Sequence, residues 1–321
     1  MNISKTFLLW GGLLIAALIL IGGGFYFSGR DATLHSSTSV SSGVLQVVAA
    51  ENFWGSIAAQ IGGTHAQVLS VVSDPNADPH EYESDATDAR AVATANYIIE
   101  NGAGYDSWMD KLVGAGANSP AGNFASGRTT LNVANLLGKK DGDNPHFWYD
   151  PDYVNTVAAQ MEKDLAAIDP AHASAYGANY TALQTSLATY QNRIASIKQQ
   201  FSGTKVAATE DIFAYLANAA GLDLVSPPAF TQAVAEGNDP PASSVVAFEN
   251  QLKAGGIAVL VYNEQTVTPL TDNMKKLAAE QNIPEVGVTE TIQPPDMSFE
   301  DWMNAQLVAL QNALNAKTLG Q

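Results

Sequence analysis

The chain has 321 residues, with 32 acidic against 15 basic side chains and a formal charge of −17. At roughly 150 residues per domain it has room for about two domains. It contains no cysteine, which excludes disulfides, thiolate metal sites, cysteine nucleophiles and lipid attachment through a lipobox. The acidity excludes nucleic acid as the main partner, since that would require a basic face. With 46% of its residues hydrophobic, the chain has enough apolar surface to fold rather than stay disordered.

Lys5 is the single charge before Arg30, and residues 7–27 are almost wholly apolar. Those 21 residues would form a helix of about 32 Å, enough to cross a bilayer. No A-x-A cleavage signal follows. Residues 1–30 are therefore expected to act as a signal and membrane anchor, retained in preference to the alternative of a removed signal peptide. Residues 31–43, rich in Ser and Thr, would form a flexible linker. The body of the protein would then lie outside the cytoplasm, at the cell surface or in the periplasm.

The body reads as alternating strands and helices. Strands are expected at 44–49, 67–73, 96–100 and 129–133, with helices at 53–61, 86–94 and 107–112 between them. Asp150-Pro151 opens a further helix to about 168, with Asp as cap and Pro in the first turn. A second series follows: strands at 205–209, 222–226, 257–262 and 285–289, and helices near 212–220, 242–254 and 268–281. Four strands on each side give an α/β fold of two lobes, each with a mainly parallel four-stranded sheet. Between them, 171–200 holds one glycine, no proline, and apolar residues three or four apart. It is expected to be one amphipathic backbone helix of about 45 Å. The first lobe then spans 44–170 and the second 201–321, each expected to have its own core.

Four local motifs carry chemistry. Asp78-Pro79-His80-Glu81-Tyr82-Glu83 follows the second strand, and Asn144-Pro145-His146-Phe147-Trp148-Tyr149-Asp150-Pro151 precedes a helix. Two Pro-His pairs in a chain with five histidines suit imidazoles held on stiff loops and aimed at a metal. Asp150 is either the helix cap or the acceptor of the second His146 ring proton. Glu210 in Ala207-Ala208-Thr209-Glu210-Asp211 and Glu290 in Val288-Thr289-Glu290-Thr291 emerge where strands end, the edge at which open α/β sheets bind ligands. Taken singly, each glutamate also suits a helix start. His65 and His172 read as surface residues, and Trp108, Trp148 and Trp302 as packing.

These four motifs, in this order, resemble those of the solute-binding proteins of zinc and manganese ABC importers, family 9 or cluster A-I. Residues 101–109 (NGAGYDSWM) also match a stretch of that family, and the resemblance runs from about 44 to 314. It implies two α/β lobes joined by one long helix, no enzymatic activity, and a metal held between the lobes. Motif by motif, it implies that His80 and His146 are ligands from the first lobe and Glu210 and Glu290 from the second. Glu264 is the rival for the last position. Zinc members usually place histidine at the third position, manganese members glutamate. The stretch 113–144 also lacks the histidine-rich loop common in zinc members. The implied ligand is thus a divalent cation, Mn2+ ahead of Zn2+, and the implied partner is a cognate ABC permease in the membrane that receives it from a monomer. A siderophore or cobalamin receptor shares the lobe-helix-lobe design, and a metal hydrolase would need an open position for water. The absence of a lipobox departs from the lipoprotein relatives and agrees with an anchor at 7–27. Protein isolated from its native membrane should retain these residues. An N-terminal sequence starting beyond Ser28 would show that they are removed.

Overall fold

The computed structural model describes residues 43–74, 77, 79–115 and 128–319. The apolar span 7–27, nearly all of the expected linker and Asp78 of the first Pro-His motif lie outside them. Among the described residues, no helix is long and apolar enough to cross a membrane.

The first lobe is built from β1 (Leu45–Glu51), α1 (Asn52–Gly62), β2 (Ala66–Val72), α2 (Ala86–Thr94), β3 (Tyr97–Glu100), α3 (Ser107–Ala115), β4 (Thr129–Asn132), the single turn α4 (Val133–Leu136) and α5 (Pro151–Ile168). Its strands pair in the order β2-β1-β3-β4, all parallel, with Val47 beside Val68 on one side and Tyr97 on the other. β1 and β3 are buried throughout, apart from Gln46. This is the burial expected of central strands covered on both faces. Asp85 and Asp150 cap α2 and α5 by accepting backbone N–H bonds.

The chain then enters α6 (Ala173–Phe201), 29 residues long, preceded by a 3-10 turn at Pro170–His172. The second lobe follows: β5 (Lys205–Ala208), α7 (Ala214–Ala219), β6 (Asp223–Leu224), α8 (Pro228–Ala235), α9 (Ala242–Ala254), β7 (Leu260–Asn263), α10 (Pro269–Glu280), β8 (Glu285–Val288) and α11 (Phe299–Leu319). The strand order β6-β5-β7-β8 repeats that of the first sheet. In both sheets the order reverses between the two central strands, β1 and β3 in one and β5 and β7 in the other. A crevice opens at the carboxyl ends of such a pair.

The two lobes and the long helix match the sequence expectation. Some details differ. The strand expected at 222–226 shortens to two residues, because the Ser226 hydroxyl takes over the pairing and bonds both N–H and C=O of Ala208. Expected helix 212–220 begins as a 3-10 turn at Asp211–Phe213. Helices α8 and α11 were not anticipated. Each lobe does have a small core of its own, with Val48, Ile98 and Met109 in the first and Phe230, Phe248 and Met274 in the second, but a larger one is shared. The largest cluster of buried apolar side chains includes Trp54 and Leu165 from the first lobe, Leu187 and Ile197 from α6, and Val261 and Trp302 from the second lobe. α6 packs on α1, α5 and α11, and Arg193 on it donates to Asn304 and Gln311 of α11.

His65 and His172 are not simple surface residues. Their rings stack at 3.9 Å and 19°, and His172 Nδ1 lies 2.6 Å from Asp169 Oδ2. His65 ends the 3-10 turn Gly63–His65 after α1, and His172 stands at the start of α6, so packing of the two helices brings the rings together.

A core shared in this way predicts one cooperative unfolding step. Leu187→Ala, which leaves a void at a fully buried position on α6, should cost about 2–5 kcal/mol. Urea curves of the variant by far-UV dichroism and by tryptophan fluorescence should stay coincident. Two separated transitions in either protein would mean that the lobes fold independently.

Candidate metal centre

His80 sits in the 3-10 turn Pro79–Glu81 after β2, and His146 directly precedes the 3-10 turn Phe147–Tyr149 that leads into α5. The second loop is held by Asn101, which follows β3. Its amide donates to the carbonyl of Pro145 at 2.8 Å and accepts from Trp54 Nε1 at 3.0 Å. Phe53 stacks on Trp148 at 3.9 Å, so the aromatic run after His146 forms a dry wall behind it.

The His146 ring is fully buried. Its Nδ1 lies 2.8 Å from Asn144 Oδ1 and 3.3 Å from Asp211 Oδ1 of the second lobe. Both are acceptors, so the ring proton sits on Nδ1. Nε2, buried without a hydrogen-bond partner, presents its lone pair. Fixing the tautomer in this way is how outer-sphere groups prepare a ligating histidine. Burial alone would depress the His146 pKa, but the Asp211 carboxylate, with Glu290 and Glu210 behind it, holds it above the usual histidine value. Asp150 does not serve His146; it caps α5.

The acids come from the second lobe. Glu210 follows β5 and Glu290 follows β8, and both are buried. Glu290 Oε2 lies 3.8 Å from His80 Nε2 and accepts from the Tyr105 hydroxyl at 2.7 Å. The Tyr105 ring stands edge-on to His80 at 4.4 Å. One donor atom each from His80, His146 and Glu290 lies within 4.8 Å of the others. Glu210 is outside that group but is tied to it, since Asn263 Nδ2 donates to Glu210 Oε2 at 3.0 Å and to Glu290 Oε1 at 2.7 Å. Burial, and then repulsion from Glu290, pushes the Glu210 carboxyl well above its ordinary value. Glu210 Oε1 is buried without a partner. Glu264 is exposed and lies over Gly287.

Sequence reasoning missed Asn263 and Gln265. Gln265 Oε1 accepts from the backbone of Glu290 and Thr291, while its Nε2 donates to the carbonyl of Ala77 in the first lobe at 3.2 Å. The signal was present, because β7 ends at the reversal point of the second sheet, beside β5 with its Glu210.

The two lobes meet along a seam of hydrogen bonds around these residues. Asn144 donates to the carbonyl of Asp211, Tyr149 to that of Thr289 and Asn52 to that of Ile292. A cavity of about 470 Å³ opens beside His80 and His146, with Asp141, Asp143, Asp211 and Glu236 on its wall.

More acids lie beneath. Glu51 ends β1, is fully buried, and neither of its carboxylate oxygens has a hydrogen-bond partner. Burial, with repulsion from Asp106, Glu100 and Glu290, raises its pKa well above the ordinary value. Burial also raises Glu100 to about 7 and Asp106 to about 6, the latter against backbone N–H donors that include Asn101 and Gly102.

The ZnuA family model, described as zinc-uptake complex component A, periplasmic, matches residues 47–313. The chain belongs to this family, whose members are solute-binding proteins of metal ABC importers and not enzymes. Among curated relatives, the manganese-binding lipoprotein MntA of Halalkalibacterium halodurans is 27% identical over 66% of this chain and 67% of its own. The iron-binding protein YfeA of Yersinia pestis is 31% identical over 38% of this chain, and the match spans 39% of its own length. The periplasmic zinc-binding protein TroA of Treponema pallidum has the same fold at a TM-score of 0.70 and 14% identity, over 86% of this chain and 99% of TroA.

The buried, unpartnered Glu51 gives a pH prediction. An acid whose folded pKa is raised releases its proton from the unfolded chain first. Its stabilising effect is complete below the unfolded value near 4.3 and is lost as pH rises towards the folded value. In chelator-treated protein, Glu51→Gln should therefore raise the melting temperature at pH 7.5, by about 2–4 °C for each kcal/mol recovered. The gain should shrink at pH 5. An equal gain at both values would show that the carboxyl is not buried in its charged form.

Proposed function

We propose that the protein is the extracytoplasmic receptor of an ABC importer for a divalent cation. It holds the ion with His80, His146, Glu210 and Glu290 and passes it to a membrane permease. The observation that carries this reading is the convergence of His80, His146 and Glu290, with donor atoms within 4.8 Å. The Nε2 of His146 is buried without a hydrogen-bond partner. Two neutral imidazoles and two carboxylates offset the charge of a divalent cation, so the filled site is far easier to bury than the empty pair of acids.

Manganese is the preferred cargo and zinc the next. A glutamate at the third position makes the donor set rich in oxygen, which suits manganese, whereas zinc favours nitrogen and sulfur. The names of the relatives, manganese, iron and zinc among them, do not choose between metals. Zinc should still bind more tightly in vitro, following the Irving–Williams order. Residues 7–27 serve as the tether that keeps a monomeric receptor near its permease.

One observation favours a second reading. The cavity beside the two histidines, about 470 Å³, is larger than a bare ion needs and suits a chelated metal. Calorimetry with MnCl2 and ZnCl2 separates the two. A receptor for the ion binds one equivalent of the bare salt, and a chelate receptor does not.

His146→Ala and Glu290→Ala should each weaken Mn2+ binding by more than the ~10–100-fold typical of outer-sphere changes, with the apo protein still folded. Affinity equal to wild type in both would remove the assignment. In cells, loss of the protein should lower manganese accumulation more than zinc, and a defect confined to zinc-depleted medium would reverse the choice of metal.

A further inference from the structure

Asn263 ends β7 in the middle of the second sheet and is almost fully buried, at 2% exposure. Its amide orientation is fixed. Oδ1 accepts the backbone N–H of Gln265 at 2.9 Å, so Nδ2 faces the acids. That nitrogen has two hydrogens, and its two shortest contacts are Glu290 Oε1 at 2.7 Å and Glu210 Oε2 at 3.0 Å. Thr266 Oγ1 stands 3.1 Å away and its hydroxyl bonds Glu210 as well. One oxygen of each glutamate is thus engaged by a single amide. The other two oxygens are Glu210 Oε1, which has no partner, and Glu290 Oε2, which lies 3.8 Å from His80 Nε2 and accepts from the Tyr105 hydroxyl at 2.7 Å, a donor that can turn about its C–O bond as the fixed amide cannot.

We propose that Asn263 is a positioning residue that sets metal specificity by making each glutamate a one-oxygen ligand. The inference rests on the receptor reading given above. A cation that took both oxygens of either glutamate would come up against the positively polarised amide hydrogens, which sit on the inner oxygens already. The protein therefore offers four donors, two imidazole nitrogens and two carboxylate oxygens. Zinc is satisfied by four. An ion that prefers six oxygen-rich positions, such as manganese, completes its shell with water, and the cavity beside the histidines supplies it. Asn263 thereby biases the site towards the smaller coordination number and makes manganese binding wet.

The test uses the full chain with MnCl2 and ZnCl2 as probes, and the variants Asn263→Ala and Asn263→Leu, the second close in shape to Asn but without donors. Water-proton relaxation of the Mn2+ complex counts the inner-sphere waters, a readout that a merely structural role would not move. Wild type should hold at least one water on Mn2+. Both variants remove the amide from Glu210 Oε2 and Glu290 Oε1 and leave only the hydroxyls of Thr266 and Tyr105 on the pair, so they should lose water from Mn2+ and raise the ratio of Mn2+ to Zn2+ affinity by about tenfold. A wild-type Mn2+ complex without inner-sphere water overturns the proposal whatever the variants do. So does a variant that folds and binds with an unchanged water count and affinity ratio. Failure of wild type to bind either salt would instead overturn the receptor reading, and this inference with it.

Discussion

Two glutamates, Glu210 and Glu290, are buried together in the second lobe and joined through one amide. Placing two like charges in a medium of low dielectric is costly unless a cation, a proton or a set of hydrogen bonds compensates. Every nearby feature bears on that cost. Tyr105 from the first lobe donates to Glu290, Asn263 donates to both acids, and Gln265 pins the backbone that carries Glu290. The imidazoles opposite carry no charge when neutral, so these hydrogen bonds and the raised proton affinity of Glu210 carry the compensation within the protein itself.

The topology explains why these groups meet. Parallel sheets collect all their carboxyl ends on one edge, and the reversal of strand order opens a crevice there. Glu51, Asn101, Glu210 and Asn263 all stand at the ends of central strands, at or one to two residues beyond the last paired position. Each lobe contributes one such crevice, and the two crevices face each other across the seam. α6 and α11 hold that arrangement from behind through a core that includes residues of both lobes.

Much of this was legible in the sequence. Alternating apolar runs gave eight strands near their observed places, and the spacing of Tyr176, Tyr180, Leu183, Leu187, Tyr190, Ile194 and Ile197 gave the long helix, on which all of these but the half-buried Tyr180 are buried. The two Pro-His pairs and the strand-end glutamates pointed to the carboxyl edge of each sheet, where His80, His146 and Glu290 do come together. What escaped was long-range. Nothing local to Asn263 announces that its amide spans two acids 53 and 27 residues away. Glu264 drew attention because it is charged, yet side chains alternate along a strand and it turns to the exposed side. The stacked His65 and His172 are 107 residues apart in sequence, and only helix packing joins them. The shared core was illegible because an apolar face does not say which partner it will meet.

The seam between the lobes has a property that bears on how such a protein can change over time. Its bonds run mostly from a side chain on one side to the backbone on the other: Asn52 to Ile292 in both directions, Asn144 to Asp211, Tyr149 to Thr289, Gln265 to Ala77, and Ser56 to the N–H of Phe299. A main-chain group is the same in every residue but proline. Half of the participants can therefore mutate freely without unmaking the junction, provided the chain path is kept. Docking of the lobes is thus inherited as a shape more than as a set of letters, in keeping with a shared fold at 14% identity. Drift in the receiving positions leaves the closure intact and falls instead on the wall of the cavity, where Asp211 already combines a main-chain role in the seam with a side-chain role beside His146.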